Sequence, residues 1–286
     1  MQLIRNQQWV IEPRGAGVSG RLLEVWRARS LLPFFAHRSA EQIISRTILG
    51  FFWLILRPAV PVAVMTVVFG FLANLRAAVD IPYVVFFLYG VTAWSAFDGC
   101  LIWATRSLFN NRSLLTKIYF PRMLAPLAGT FPGVMEFVVH LGFLALTIAF
   151  FALADGEVYI VWGWGLLVGA AALTLPFLTA VGASLFTSLW DYNARDTRYT
   201  IQIVLRFLLY LCPVIYPATN IPEQYRVFYF INPLAGAIES FRAAMLGDLE
   251  NAPIGALIYS ACFVGALLFA GVVYFFATES EWLDRT

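Results

Sequence analysis

Charge is scarce in this chain: Asp, Glu, Lys and Arg make up 13% of its 286 residues, against about 25% in soluble domains. A fold with a wholly aqueous surface is excluded, because too few polar side chains remain to cover it. Histidine occurs only as His37 and His140, and cysteine only as Cys100, Cys212 and Cys262. No H-E-x-x-H or C-x-x-C spacing is present, so a metal site has no support and metal catalysis is not expected. The scattered cysteines read as small packing residues. The G-x-x-x-x-G-K-[ST] loop that cradles phosphates is missing as well, which excludes ATP hydrolysis by that route on this chain. Ser184, within "GASLF" (182–186), has no His after position 140 to act as its base. With Gly182 and Ala183 it reads as a helix-packing face, and no catalytic residue is assigned.

Apolar side chains are abundant instead: 60% of the residues are hydrophobic and 16% aromatic. Six apolar runs, 48–73, 82–105, 123–151, 158–189, 199–217 and 254–277, are each long enough for a helix to cross about 30 Å of hydrocarbon. None alternates with a period of two, so helices rather than barrel strands are expected. The fold class is therefore an all-α integral membrane protein with six transmembrane helices. Residues 1–47 form a cytoplasmic arm, without the apolar core and cleavage site of a signal peptide, and 48–286 form the six-span membrane domain. Lys and Arg divide fourteen to three between the two sides of this arrangement, which places both termini in the cytoplasm by the positive-inside rule. No internal repeat or low-complexity tract stands out.

In the arm, Ser19 is a plausible cap for an amphipathic helix. Leu22, Val25, Trp26 and Leu32 would share one face, and Arg21, Glu24 and Arg27 another. Such a helix lies in the membrane interface, and Pro33 is expected to end or bend it. Within the spans, Arg57 before Pro58 reads as a snorkelling anchor at a bend. Glu136 and His140 stand one turn apart on span 3 and read either as an internal pair or as marks of a passage, and Asp98 in span 2 carries both readings. Between spans 5 and 6, Pro222-Glu223 and Asn232-Pro233 resemble helix starts and Gly247 a helix end. Residues 216–253 are thus expected to hold two short re-entrant helices on the outer side. Aromatic residues crowd span 2 and the outer side; interfacial belts account for many of them, and aromatic faces also suit sugar rings. The segment "FNNRSLLTKIYFPRM" (109–123) is basic and amphipathic between two apolar runs.

The order of "TILGFFWLILRP" (47–58), "LYGVTAWSAF" (88–97), "LLTKIYFPRMLAPLA" (114–128), "SLWDYNARDTRYTIQIVLRF" (188–207), "CPVIYP" (212–217) and "INPLAGAIESFRAAMLG" (231–247) resembles the permease subunit of ABC-type polysaccharide exporters. The resemblance covers roughly residues 40–250. It implies transport of lipid-linked O-antigen, capsule or teichoic-acid chains across the bacterial inner membrane. It also implies a homodimer of permeases docked to two ABC ATPase subunits, which bind ATP and Mg in place of any cofactor on this chain; no nucleic-acid partner is expected. Residues 109–122 would then be the segment that couples to the ATPase. Leu114, Leu115 and Ile118 would fill a groove, with Arg112, Lys117 and Arg122 fixing its orientation and Tyr119, Phe120, Trp26 and Arg46 completing the surface. Trp53, Phe69, Phe207 and Tyr210, with Trp94 and Phe97, would line the channel, and Tyr216, Tyr225, Phe228, Tyr229 and Asn232 would form the outer gate.

Other readings remain consistent with the residues alone. Segment 109–122 also suits an anchor on anionic lipid. The chain as a whole also suits an ABC exporter of a drug or small lipid, a membrane enzyme acting on polyprenyl-linked sugars, or a scaffold subunit.

Overall fold

The computed structural model describes residues 17–44, 52–72, 81–115, 117 and 119–283. Arg46 and Ile118, both expected at the coupling surface, lie outside the described residues. Among those described the chain is helical with short connections and contains no strand.

Helix α1 (Val18–Arg27) starts behind Gly17, two residues before the expected cap Ser19. Pro33 does not end it. A 3-10 turn, Ala28–Leu31, intervenes, and Pro33 stands in the first turn of α2 (Leu32–Ile44), where a missing N–H costs no intrahelical bond. Of the face expected at the interface, Leu22 and Trp26 are exposed, whereas Val25 and Leu32 are half-buried against Phe35, Phe120 and Leu124. Arg21 is not with the other cations: its Nη1 donates to the Phe276 carbonyl at 2.6 Å and to Glu279 Oε1 at 3.3 Å.

Helix α3 (Phe52–Met65) contains Pro58 and Pro61 and runs into a π-helical turn, Thr66–Leu72. The hub of the bundle is α4 (Tyr83–Thr105), buried along most of its length. After it come the short α5 (Ser107–Asn110) and α6 (Arg112–Leu115), then α7 (Leu124–Gly129), α8 (Phe131–Ala154) and α9 (Trp164–Asn193). The chain closes with α10 (Asp196–Tyr210), α11 (Glu223–Tyr229), α12 (Pro233–Leu246) and α13 (Ile254–Leu283). Helix α4 packs on α8, α9 and α12, while α13 packs on α9 and α12. The α4–α8 crossing depends on Gly133, where a Cβ would collide with the backbone of Gly99 and Cys100. Gly182 packs against Leu267 of α13 and Ser184 is buried, as a small-residue face requires.

Among the described residues, five segments are long and apolar enough to cross a membrane: Phe52–Gly70, Tyr83–Thr105, Leu124–Ala154, Trp164–Asn193 and Ile254–Glu279. The expected fifth run, 199–217, is a helix only to Tyr210. Its 15 residues span about 22 Å, short of a full crossing. The cause is Pro213, which disfavours a helical residue before it and removes a donor. The irregular stretch that follows is tied down from the core: Tyr83 donates to the Ile215 carbonyl at 2.9 Å, and Arg242 Nη2 to the Pro213 carbonyl at 2.8 Å. Arg242 also pairs with Glu239 and lies over the Phe86 ring.

The helix signals between Tyr216 and Gly247 hold. Helix α11 begins after Pro222, α12 after Asn232, and Gly247 ends α12 with φ +80°, a conformation that glycine adopts without strain. Asn232 caps α12 by accepting from the Leu234 N–H at 3.1 Å. Its Nδ2 reaches back to the Cys212 sulfur at 3.2 Å. Asn232→Ala should cost about 1 kcal/mol, read as a fall of a few degrees in the thermal midpoint of the detergent-solubilised protein.

Candidate functional site: a polar cavity and the segment below it

A cavity of about 530 Å³ opens among α3, α4, α8 and α10, within the range of small-ligand sites. Arg57 enters it from α3, Trp94, Asp98 and Trp103 from α4, Glu136 from α8, and Gln202 and Arg206 from α10, with Arg106 at the foot of α4. Helical spacing explains the α4 set: Asp98 and Ile102 are four residues apart, and Trp94 precedes Asp98 by four, so one stripe faces the cavity.

Arg57 is more than a snorkelling anchor. Its Nη1 donates to Glu136 Oε1 at 2.9 Å, and Trp103 Nε1 approaches the same oxygen at 3.5 Å. Glu136 does not pair with the His140 side chain; His140 Nδ1 meets the Glu136 backbone carbonyl at 2.9 Å instead. The i, i+4 spacing brings these residues to one face, but the longer reach of Arg57 captures the carboxylate. Among the described residues, Asp98 and Arg206 make no hydrogen bond or ion pair. Arg106 Nε is buried without a partner, and burial, with Arg198 close by, pushes its pKa down. Three guanidinium groups thus share one cavity with two carboxylates.

Of the channel candidates, Trp94 lines this cavity, while Phe97 is buried against it edge to face at 5.5 Å. Phe69 stacks on Tyr83 at 6.4 Å. Trp53, Phe207 and Tyr210 are exposed on the flanks of α3 and α10. At the other end of α10, Tyr216 donates to the Tyr210 carbonyl at 2.7 Å and packs near Tyr229. Tyr225 and Phe228 are exposed on α11.

The coupling candidates divide. Phe120 is buried against Phe35, with ring centroids 4.7 Å apart, so it holds the segment to α2 and is not a surface plug. Leu114 and Leu115 are half-buried in the same cluster. Tyr119 is 79% exposed, and Lys117, Arg112 and Trp26 are exposed too; Arg122 Nη1 donates to the Glu279 carbonyl at 3.2 Å. Phe109 lies beneath two guanidinium groups, Arg198 at 4.7 Å and Arg195 at 5.0 Å. Arg198 in turn forks onto Asp191 with two bonds of 2.8 Å. Sequence reading missed Phe109, Arg106, Arg198 and Arg206 as site residues. For Arg206 a signal was present, an ionisable side chain in an apolar run; for the others nothing local marks the contact.

The ABC-2 type transporter family matches residues 32–246. The chain belongs to that family. Every cavity residue and the whole of 109–122 fall inside the matched part of this ABC-2 chain. Its relatives include the O-antigen export system permease protein RfbA of Klebsiella pneumoniae, 26% identical over 86% of this chain and 93% of that one. The Myxococcus xanthus protein of the same name is 21% identical over 77% of this chain and 82% of its own. The polysialic acid transport protein KpsM of Escherichia coli is 23% identical over 82% and 88%.

Proposed function

We propose that this chain is the transmembrane permease subunit of an ATP-driven exporter that carries a lipid-linked polysaccharide outward across the bacterial inner membrane. The observation that carries the reading is its similarity, over most of both chains, to permeases named for O-antigen export and polysialic acid transport. The missing phosphate loop fits a subunit that draws on ATP and Mg bound by a separate ATPase.

In this reading two copies of the chain pair, with α3 and α10 beside the path. Helix α10 and the irregular 211–217 stretch together make the sixth crossing, and both termini lie in the cytoplasm. Helices α11 and α12 form the re-entrant outer gate, and α1 lies in the interface. The exposed aromatic residues Trp53, Phe207 and Tyr210 present faces on which sugars can stack weakly and slide. Energy input is required because a polar polymer crossing hydrocarbon pays a large desolvation cost. The ATPases would push on 109–122, and Phe109 under Arg198 passes that push to α10.

The test is to purify the tagged chain from its native membrane in mild detergent, identify stoichiometric partners by mass spectrometry and assay ATP hydrolysis. An ABC ATPase should accompany the wild type, and Tyr119→Asp should remove most of it while leaving the permease folded, because Tyr119 is exposed. No ATPase with the wild type would end this reading, and retention by Tyr119→Asp would move the docking surface elsewhere.

A further inference from the structure

Helix α11 stands apart from the bundle. None of its residues is buried, and it packs extensively on no other helix, although Val227 and Phe228 on it are apolar and exposed. So short a helix is not stable by its own hydrogen bonds and depends on what its apolar side meets. Between α11 and α13 lies a groove of about 370 Å³, within the range of small-ligand sites. Val227, Phe230 and Ile231 form one wall, and Ala256 and Tyr259 of α13 the other. Among the described residues, Arg226 is the one charged side chain that lines it.

Shape and charge together indicate what fills the groove. Ala256, Tyr259 and Phe263 recur at helical spacing on one side of α13, and Tyr259 and Phe263 are exposed with ring centroids 6.3 Å apart. From Ile254 to Phe263 the helix rises about 14 Å, close to half of the roughly 30 Å of hydrocarbon. The groove and the stripe beyond it therefore run the depth of a single leaflet, which suits one extended acyl chain. At the rim, Arg226 is half-buried and held in place: its Nε donates to the Ile221 carbonyl at 3.1 Å and its Nη2 to the Thr219 carbonyl at 3.4 Å. Its Nη1 is turned to Glu223, whose carboxylate stands 3.8 Å away, too far for a hydrogen bond. An oriented cation and an exposed anion one helical turn apart complement a zwitterionic head group. Phosphate oxygens accept from the guanidinium, an ammonium group donates to the carboxylate, and the Tyr259 hydroxyl is a further donor in the same lining.

We propose that this groove binds one bilayer phospholipid with an amino head group, of the phosphatidylethanolamine kind, its phosphate on Arg226, its ammonium on Glu223 and one acyl chain between α11 and α13. The lipid supplies the packing that α11 does not receive from protein, so this short helix is seated by a component of the bilayer. Placing the lipid in the outer leaflet, where it would steady the outer gate, rests on the export reading above; the groove and its charge pair do not.

The experiment places the full chain with its ATPase in nanodiscs of palmitoyl-oleoyl phosphatidylethanolamine, phosphatidylcholine and phosphatidylglycerol in equal parts, and identifies by native mass spectrometry the lipids that stay bound on release into detergent. One phosphatidylethanolamine per chain should be retained, roughly tenfold in preference to either other lipid, as expected of one charge-assisted contact. Glu223→Gln should abolish the preference while lipid is still bound. Val227→Trp, which fills the groove from α11, should remove the lipid, and Arg226→Lys should keep more of it than Arg226→Gln. Glu223 and Val227 are exposed, so their variants test the site without threatening the fold. Phosphatidylglycerol or phosphatidylcholine retained as well as phosphatidylethanolamine by the wild type would overturn the head-group assignment. Retention undiminished in both Val227→Trp and Arg226→Gln, or a second copy of the chain bound there in place of lipid, would overturn the site. ATPase retained in the same preparation without the lipid would sink only the site, whereas the lipid retained by a chain that never acquires an ATPase would sink the exporter and leave the site standing.

Discussion

Arg198→Ala should destabilise the protein by about 3–5 kcal/mol, the cost of stranding a buried charge. Asp191 is fully buried, the Arg198 side chain is 17% exposed, and the guanidinium reaches both carboxylate oxygens at 2.8 Å. Removing the cation leaves the carboxylate with no comparable partner. The same change strips one of the two cations from the Phe109 ring, loosening the contact between the coupling segment and the start of α10. Replacing both Asp191 and Arg198 by Leu should recover much of the stability, since a well-packed apolar pair is often as good as a buried ion pair. It should not recover coupling. The measurements are the thermal midpoint in detergent and ATP hydrolysis by the reconstituted complex. A single variant within about 1 kcal/mol of wild type would class the pair with exposed ones.

Gly133→Ala is expected to have a comparable effect for a different reason. The added Cβ itself is the problem: it falls on the Cys100 backbone nitrogen and within reach of the Gly99 carbonyl carbon. Backbone cannot rotate away as a side chain does, so the cost should exceed the ~1–3 kcal/mol typical of overpacking. The α4–α8 contact would part, and with it the wall that brings Glu136 to Arg57. The internal control is Gly142→Ala in the same helix, where a Cβ meets nothing within 4 Å; its stability should change little. Size-exclusion profiles of the two variants distinguish a general intolerance of α8 from a contact at one point.

What the sequence disclosed follows from how far its signals reach. Pro222, Asn232 and Gly247 act within a turn of themselves, so the starts and end of α11 and α12 were readable from adjacent residues. Apolar run length likewise located the five helices that, among the described residues, are long and apolar enough to cross a membrane. Span 5 was overextended because 199–217 is apolar enough to continue, while Pro213 stops the helix geometrically. Pro33 was misjudged because proline starts a helix as readily as it stops one, and only the preceding 3-10 turn decides. The Arg57–Glu136 pair joins residues 79 apart, and Phe109 meets Arg198 although α6 to α9 lie between them in the chain. No local pattern encodes such meetings, which arise from how helices pack.

The bond from Arg21 to the Phe276 carbonyl joins residues 255 apart in sequence, and Arg122 reaches the same C-terminal turn at Glu279. A ribosome adding about 5–20 residues per second needs on the order of ten to fifty seconds to make the chain between them. The last tie on α1 therefore forms well after the arm's contact with the middle of the chain, Phe35 on Phe120, has become possible, so the arm is seated in two stages, first on α7 and only at the end on α13.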